Sequence, residues 1–368
     1  MNRFVQLHLL TSYPPANLNR DDLGRPKTAV MGNALRLRVS SQSLKRAWRT
    51  SDTFENALKG HIGTRTKEMG VKVFAQLVDK DVSEKKALEW AKTIAGVFGK
   101  PKALSKEEEK KRQDPETADA EKQTLKQKSL EIEQLAHFSP EEENQIGLLV
   151  NKLAQGNEAP NADELKLLRR QHTAADIALF GRMLASSPAY NTEAACQVAH
   201  AISVHKVTVE DDFFTAVDDL NAGEEDLGAG HMGETEFAAG LFYQYICIDR
   251  ELLKENLSGD EVLTKATISA LIEAAATVAP TGKQNSFASR ARAEYILCEV
   301  GDQQPRSLST AFLNPVQDVD IFYQSITRLN NAVENMDKVY DNCAEFRATL
   351  NAKTGEGSLA AIKATATE

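Results

Sequence analysis

The chain has 368 residues, 42% of them hydrophobic and 26% charged, and a net charge of −9; it has room for two or three structural units, and its bulk electrostatics give no reason to expect a nucleic-acid partner. No apolar run approaches the length of a membrane span, and the opening MNRFVQLHLL, interrupted by Gln6 and His8, is too short and too polar for a signal peptide. The four cysteines (Cys196, Cys247, Cys298, Cys343) stand far apart with no CxxC or CxH spacing, so neither a zinc site nor a disulfide framework is indicated and a reduced, cytoplasmic protein is expected.

Residues 3–11 alternate, with Val5, Leu7 and Leu9 on one side and Phe4, Gln6 and His8 on the other, as a half-buried strand requires. Tyr13, Pro14 and Pro15 predict a turn after it. Residues 20–49 then run against the charge of the rest. They hold eight cations (Arg20, Arg25, Lys27, Arg36, Arg38, Lys45, Arg46, Arg49) and two acids, Asp21 and Asp22, a net of +6 that leaves −15 on the remainder. A local cationic segment on an acidic protein costs self-repulsion unless a polyanion meets it.

Within that segment, residues 36–39 read as a second extended piece, Arg36 and Arg38 on one face and Leu35, Leu37 and Val39 on the other. Residues 40–43 read as a helix start, followed by an apolar stripe of Leu44, Ala47 and Trp48. Both strand arginines would then lie beside the first-turn amides of the helix, with Lys45 and Arg49 at i, i+4. Ser40, Ser41, Gln42 and Ser43 add side-chain donors, the makings of a phosphate site. A solvated amphipathic helix behind an ordinary cap is the other reading of the same residues.

From about 60 to 180 the pattern is helical and highly charged. Ser83 opens a run that ends at Gly99 and Pro101, and residues 105–135 carry Lys, Glu and Gln at helical spacing. Ser139, Pro140 and Glu142 combine an N-cap, a proline at the first helical position and a capping-box glutamate, and Asn161 and Glu164 repeat the box. Extended structure is predicted around 202–209, 237–248 and 292–300, with a short helix after Thr192 and a longer Ala-rich one over 260–278. Residues 316–350 read as one or two helices and the last residues as a frayed tail. Strands at both ends enclosing a helical block imply an α+β domain with an insertion.

Other patterns carry chemistry less sharply. Gly181 allows a tight turn that would present Arg182 and Met183, although a core-packed methionine at a helix end is the plainer reading. His200, His205 and His231 lie near residues 207–248, which hold ten acids and no Lys or Arg. Paired Asp and His can hold a metal that activates water for phosphodiester cleavage. Yet the five-residue step from His200 to His205 suits neither a helix face nor a strand face, so a solvated acidic loop is preferred. Its glycines (Gly223, Gly228, Gly230, Gly233) suit a long excursion and match no phosphate-cradling loop. Lys283, Gln284, Arg290 and Arg292 precede a strand, either as a second anion-contact surface or as an exposed loop.

Taken together, LNRDD at 18–22, RLRVSSQSLKRAWR at 36–49, DIALFGRM at 176–183, AHAISVHKV at 199–207, FFTAVDDL at 213–220, KQNSF at 283–287 and QPRSL at 304–308 resemble one family. It is the CasC-type backbone subunit of the type I-E CRISPR surveillance complex, Cascade. The resemblance covers most of residues 1–315 and is weakest through 60–170 and in the C-terminal tail.

The resemblance implies an α+β, hand-like protein: an RNA-recognition-motif-like (ferredoxin-like) palm in residues 1–59, 181–204 and 237–368, a helical fingers insertion at 60–180 and an extended thumb hairpin at 205–236. Copies of the chain would polymerise along one CRISPR guide RNA beside other Cascade subunits, and hold target DNA through base pairing to the guide. Arg20, Lys27, Arg38, Ser40, Gln42, Lys45, Arg46, Arg49 and Lys283 would line the guide-RNA phosphate path, and Met183 would be an apolar wedge near a kinked nucleotide. The sequence after Met183 departs from the family pattern. The acidic thumb would meet a neighbour's basic face. No cofactor, no metal, no catalytic residue and no membrane are implied; the alternative is a metal-dependent ribonuclease using the acidic 207–248 segment.

Overall fold

A computed structural model describes residues 2–216 and 231–368. The chain begins with β1 (Phe4–Ala16), β2 (Thr28–Met31), β3 (Ala34–Val39), α1 (Ser41–Arg49) and α2 (Asp52–Ala57). There follow β4 (Thr64–Thr66), α3 (Met69–Val78), α4 (Glu84–Gly96), α5 (Lys106–Gln113), α6 (Asp119–Lys128), β5 (Ala136–Phe138), α7 (Pro140–Gly156) and α8 (Ala175–Phe180). Next come β6 (Cys196–Val198), β7 (Ala201–Ser203), β8 (Glu210–Ala216), β9 (His231–Asp249), α9 (Arg250–Asn256) and α10 (Glu261–Thr277). The chain closes with α11 (Gln284–Phe287), β10 (Tyr295–Gly301), α12 (Ile321–Tyr340), β11 (Phe346–Asn351) and α13 (Leu359–Thr367). Two compact units result: Met1–Ala57, Cys196–Glu251 and Lys265–Glu368 form one, and Leu58–Ala195 with Leu252–Thr264 the other.

The first unit is mixed α+β around an antiparallel sheet in the order β11-β10-β1-β9-β7-β3-β2, with β6 and β8 also paired to β9. Central β1 is buried on both faces from Phe4 to Thr11, so alternation signals a two-sided core strand here, not the half-buried one expected. Phe4 and Leu10 join Tyr243, Tyr245, Tyr295 and Leu297 in a cluster that α12 covers with Phe322, Leu329 and Val333. The strand also continues through Tyr13, Pro14 and Pro15, with a register irregularity between Tyr13 and Ala16 in place of the expected turn. Proline has no N–H for the ladder, and a bulge absorbs that loss without ending the strand.

Gln6 and His8 lie on that buried β1 and need polar partners. Gln6 Oε1 accepts from the Tyr245 hydroxyl at 2.8 Å and from the Arg306 amide at 2.8 Å. The Leu308 amide donates to the Tyr243 hydroxyl oxygen, whose own proton goes to His8 Nδ1 at 2.9 Å. His8 is then the Nε2–H tautomer and donates to Glu299 Oε2 at 3.1 Å. Arg306 grips both oxygens of Glu299 at 2.6 and 3.1 Å, and Arg347 donates to Oε1 at 2.8 Å.

β11 and α13 correct two expectations for the C-terminal region. Residues 346–351 form a strand on β10 instead of more helix, with Arg347 opposite Glu299. The tail is no frayed end: Ser358 caps α13, Ile362 and Ala366 are buried, and Arg250 donates to the Ala366 carbonyl at 3.1 Å.

In the second unit α3, α4 and α7 enclose a core that includes Val73, Leu77, Trp90, Ile94, Phe138 and Val150. The Ser139 capping box forms as the sequence predicts, and its Glu142 is fully buried. The Asn161–Glu164 pair makes the same hydrogen bonds but closes only a turn. After Thr192 there is no helix; Thr192 bridges to Arg182 instead.

Burial alone would raise the Glu299 carboxyl, yet hydrogen bonds from His8 and Arg306 outweigh it and hold it well below the usual range, while burial first of all pushes His8 below its ordinary 6.5. Both shifts mean that the unfolded chain binds more protons on acidification. Stability is therefore expected to be full above pH 6.5, to decline below it as His8 is forced to charge, and to fall again through the carboxylate range as Glu299 is protonated. Glu299→Gln should cost about 3–5 kcal/mol by leaving two guanidinium groups facing a neutral amide. Urea melts at several pH values check both; an unchanged midpoint in E299Q would refute the second.

Candidate nucleic-acid interface

The basic segment is drawn together by its own backbone. Asp21 Oδ1 accepts the amides of Leu23 and Arg25, each at 2.9 Å, closing a turn after Arg20. The Lys27 amide donates to Asn19 O at 2.8 Å, and Lys27 O in turn accepts the Arg38 amide at 2.8 Å. Asn19 Oδ1 takes the amide of Ser40 at 2.9 Å. The Arg20–Lys27 loop is thereby fastened to the end of β3 and to the cap of α1.

Helix α1 follows because Ser40 is extended at the cap and its hydroxyl accepts the Ser43 amide. Leu44, Ala47 and Trp48 are buried beneath it, while Gln42 and Arg46 are exposed and Lys45 and Arg49 half-exposed. The first-turn amides are less open than the sequence suggests. Ser41 N–H already donates to His200 Nδ1 at 2.9 Å, and Ser43 N–H to its cap.

The two strand arginines part company. Arg36 is wholly buried and donates to three backbone carbonyls, Ser203 at 2.9 Å, Phe312 at 2.9 Å and Leu313 at 3.3 Å. It fastens β3 and faces no ligand. Arg38 stays half-exposed on the outer side, near His200. Burial first, then the charges of Arg38 and Lys27, hold the His200 imidazole below 6.5. In the sequence His200 stands just ahead of the acidic stretch. The fold instead puts it within the cationic group, a contact across 159 positions of sequence that no local pattern announces.

Lys283 reaches the same neighbourhood by a close backbone approach. A Cβ at Gly282 would stand 2.2 Å from Leu18 O, so only glycine fits where the two segments meet. Lys283 itself has φ 45° and donates to Thr235 Oγ1 at 3.2 Å. Asn17 ties the other side, donating to Gly24 O and Glu236 O at 2.9 Å each.

Met183 belongs to the second unit and is 77% exposed, so it is not a core methionine. Arg182 beside it is not presented to any ligand. Its guanidinium is 1% exposed, pairs with Glu142 at 2.6 Å and donates to the carbonyls of His137, Arg169 and Tyr190. It pins the loop that carries Met183 outward.

The described part of the acidic stretch is the β8–β9 ladder, with Asp211 opposite Glu236, Asp212 opposite Thr235 and Phe213 opposite Glu234. Phe213 is 61% exposed, an apolar surface that the surrounding acids mask in the sequence. Glu236 pairs with Arg25 at 3.4 Å. His205 fastens the turn before β8, accepting the Leu241 amide at Nε2 and donating from Nδ1 to Lys206 O. Among the described residues no three His, Cys, Asp or Glu come together as a metal site. Asp218, Asp219 and the rest of 217–230 lie outside the described residues.

Residues 5–368 match the family model described as "CT1975-like protein". The chain is also similar to a chain of a solved "CRISPR RNA-guided surveillance complex, pre-nicking", with a TM-score of 0.80, 30% identity, and 98% of this chain and 95% of that one covered. A second similar structure, a "CRISPR RNA-guided surveillance complex", has a TM-score of 0.58 and 27% identity over 98% of this chain and 92% of the other. No curated protein sequence matches.

Because burial, and after it the charges of Arg38 and Lys27, depress His200, its imidazole should titrate below 6.5 in an NMR pH series, and Arg38→Gln should move the midpoint upward. A midpoint indifferent to that substitution would remove Arg38 from the group.

Proposed function

The chain belongs to the CT1975-like family, and on that premise we propose that it is a guide-RNA-binding backbone subunit of a type I-E Cascade surveillance complex. The observation that carries the reading is the convergence of the Arg20–Lys27 loop, Arg38 and the exposed side of α1 on a chain that is acidic overall. Arg20, Lys27, Arg38, Lys45, Arg46 and Arg49 neutralise successive phosphates, Ser40 and Gln42 contribute at the head of α1, and Lys283 extends the group from its other side. None of these contacts reads a base, so sequence is left to the guide itself.

The succession β1-α1-β7-β9-α10-β10, with spatial order β10-β1-β9-β7, favours a palm of the RNA-recognition-motif, or ferredoxin-like, type. In this reading residues 1–59, 181–204 and 237–368 make the palm, 60–180 the fingers and 205–236 the thumb, while by compactness alone 181–195, with Met183, and 252–264 group with the fingers. Exposed Met183 supplies an apolar wedge at a kinked nucleotide, and exposed Phe213 offers a ring face on which a base can stack. Further copies of the chain follow along the same guide, other Cascade subunits complete the assembly, and target DNA is held through the guide. The subunit works in the cytoplasm and is not itself a nuclease.

Neutralising Lys45 or Arg49 is expected to flatten the dependence of log affinity on log salt by about 0.7 for each phosphate of single-stranded RNA that is no longer paired with a cation. An unchanged slope rejects those two residues as phosphate ligands. Incubation of the purified protein with labelled single-stranded RNA and Mg²⁺ or Mn²⁺ should leave the RNA intact; metal-dependent cleavage abolished by Asp218→Ala would replace this reading with the ribonuclease.

A further inference from the structure

A cleft of about 590 Å³ opens in the first unit between the C-terminal end of α1 and the segment joining α10 to β10. Its walls carry Arg290 and Arg292, the amide of Gln284, the hydroxyls of Thr53 and Thr281, and a single carboxylate, Asp52. Among the described residues neither guanidinium has an ion-pair or hydrogen-bond partner. The buried Ser289 hydroxyl donates to Gln284 Oε1 at 3.0 Å, which leaves the Gln284 Nε2 as a donor. Three further hydroxyls in the wall are already spent: Thr50, Ser51 and Thr277 donate to the carbonyls of Arg46, Trp48 and Glu273.

The remaining inventory is dominated by donors and carries a net positive charge. Two arginines in a concave, hydroxyl-bearing wall suit an anion with several acceptor oxygens, which a guanidinium fork engages in pairs. The cleft begins where α1 ends: Arg49 is the last residue of the helix, and Thr50, the next, stands in the wall.

We propose that this cleft seats a backbone phosphate of the same RNA strand that runs along α1, so that the guide's path continues past the C-terminal end of the helix to Arg290 and Arg292. The inference rests on the RNA-binding reading above. It gives an anion-binding role to two arginines whose sequence pattern fits an anion surface but reads more plainly as a simple exposed loop.

The test is a salt titration of the full-length protein with a fluorescein-labelled single-stranded RNA of mixed sequence. The double variant Arg290→Gln, Arg292→Gln should flatten the log-log slope by about 0.7 for each phosphate left without its arginine. The double variant Arg290→Lys, Arg292→Lys should restore the slope, because the charge remains, and this rules out misfolding as the cause. Asp52→Asn should tighten binding. An unaltered slope in the glutamine variant, while Lys45→Gln still flattens it, overturns the inference and leaves the function standing; no change in either variant overturns both. Binding of inorganic phosphate in the cleft with an unaltered RNA slope would make it a small-anion site and also overturn the proposal.

Discussion

Glu299 sits on β10 with no exposed surface, and its two oxygens accept hydrogen bonds from His8 on β1, Arg306 on the loop after β10 and Arg347 on β11. Asp337 of α12 pairs with Arg347 at 2.7 Å, which extends the network to the helix that covers the sheet. One carboxylate thus joins three adjacent strands and ties them to that cover. Desolvating a charge is costly, and the network is tolerated because nearly every lone pair and N–H has a partner. The face of β1 that presents Gln6 and His8 is closed by α12 and the network together.

The position of that surface depends on a second buried cation. The two terminal nitrogens of Arg36 donate to the carbonyls of Ser203, Phe312 and Leu313, so β3 is held between β7 and the chain before α12. Arg38, two residues on, then stands at the head of α1 with Lys27 and His200. The same residue type serves twice on one short strand. Three carbonyls engage the first, and half-exposed Arg38 keeps its charge for solvent or a ligand.

Charge is partitioned accordingly. The segment 20–49 carries +6 while the ladder β8–β9 carries acids on both strands. Where the two meet, Arg25 pairs with Glu236, and Asn17 and Lys283 bridge the loop and the hairpin base. Such contacts are surface interactions of modest energy. Their role is geometric, since they fix the base of an acidic hairpin against the cationic loop and keep the two potentials adjacent but distinct.

The helices of the charged block, the Ser139 capping box, the strand character of residues 3–11 and the cationic anomaly at 20–49 are all local patterns, so they are legible in the chain itself. Caps and periodicity act within a few residues and need no partner from elsewhere. Whether β1 is covered on one face or two, whether Arg36 or Arg38 faces outward, whether Arg182 is offered or buried, and whether the tail frays or docks are not legible there. Each depends on what the rest of the chain brings to that surface: α12 over Gln6 and His8, the carbonyls of 312 and 313 over Arg36, Glu142 against Arg182, and Arg250 at the end of α13. The sequence by itself determined the helical character of the charged block, the extended character of residues 3–11 and where positive charge concentrates, but not that 346–351 pair with β10 as a strand or that the tail folds as α13. Tertiary structure alone decided which of those charges are structural, because burial and long-range hydrogen bonding are properties of the assembled sheet and not of any stretch of residues.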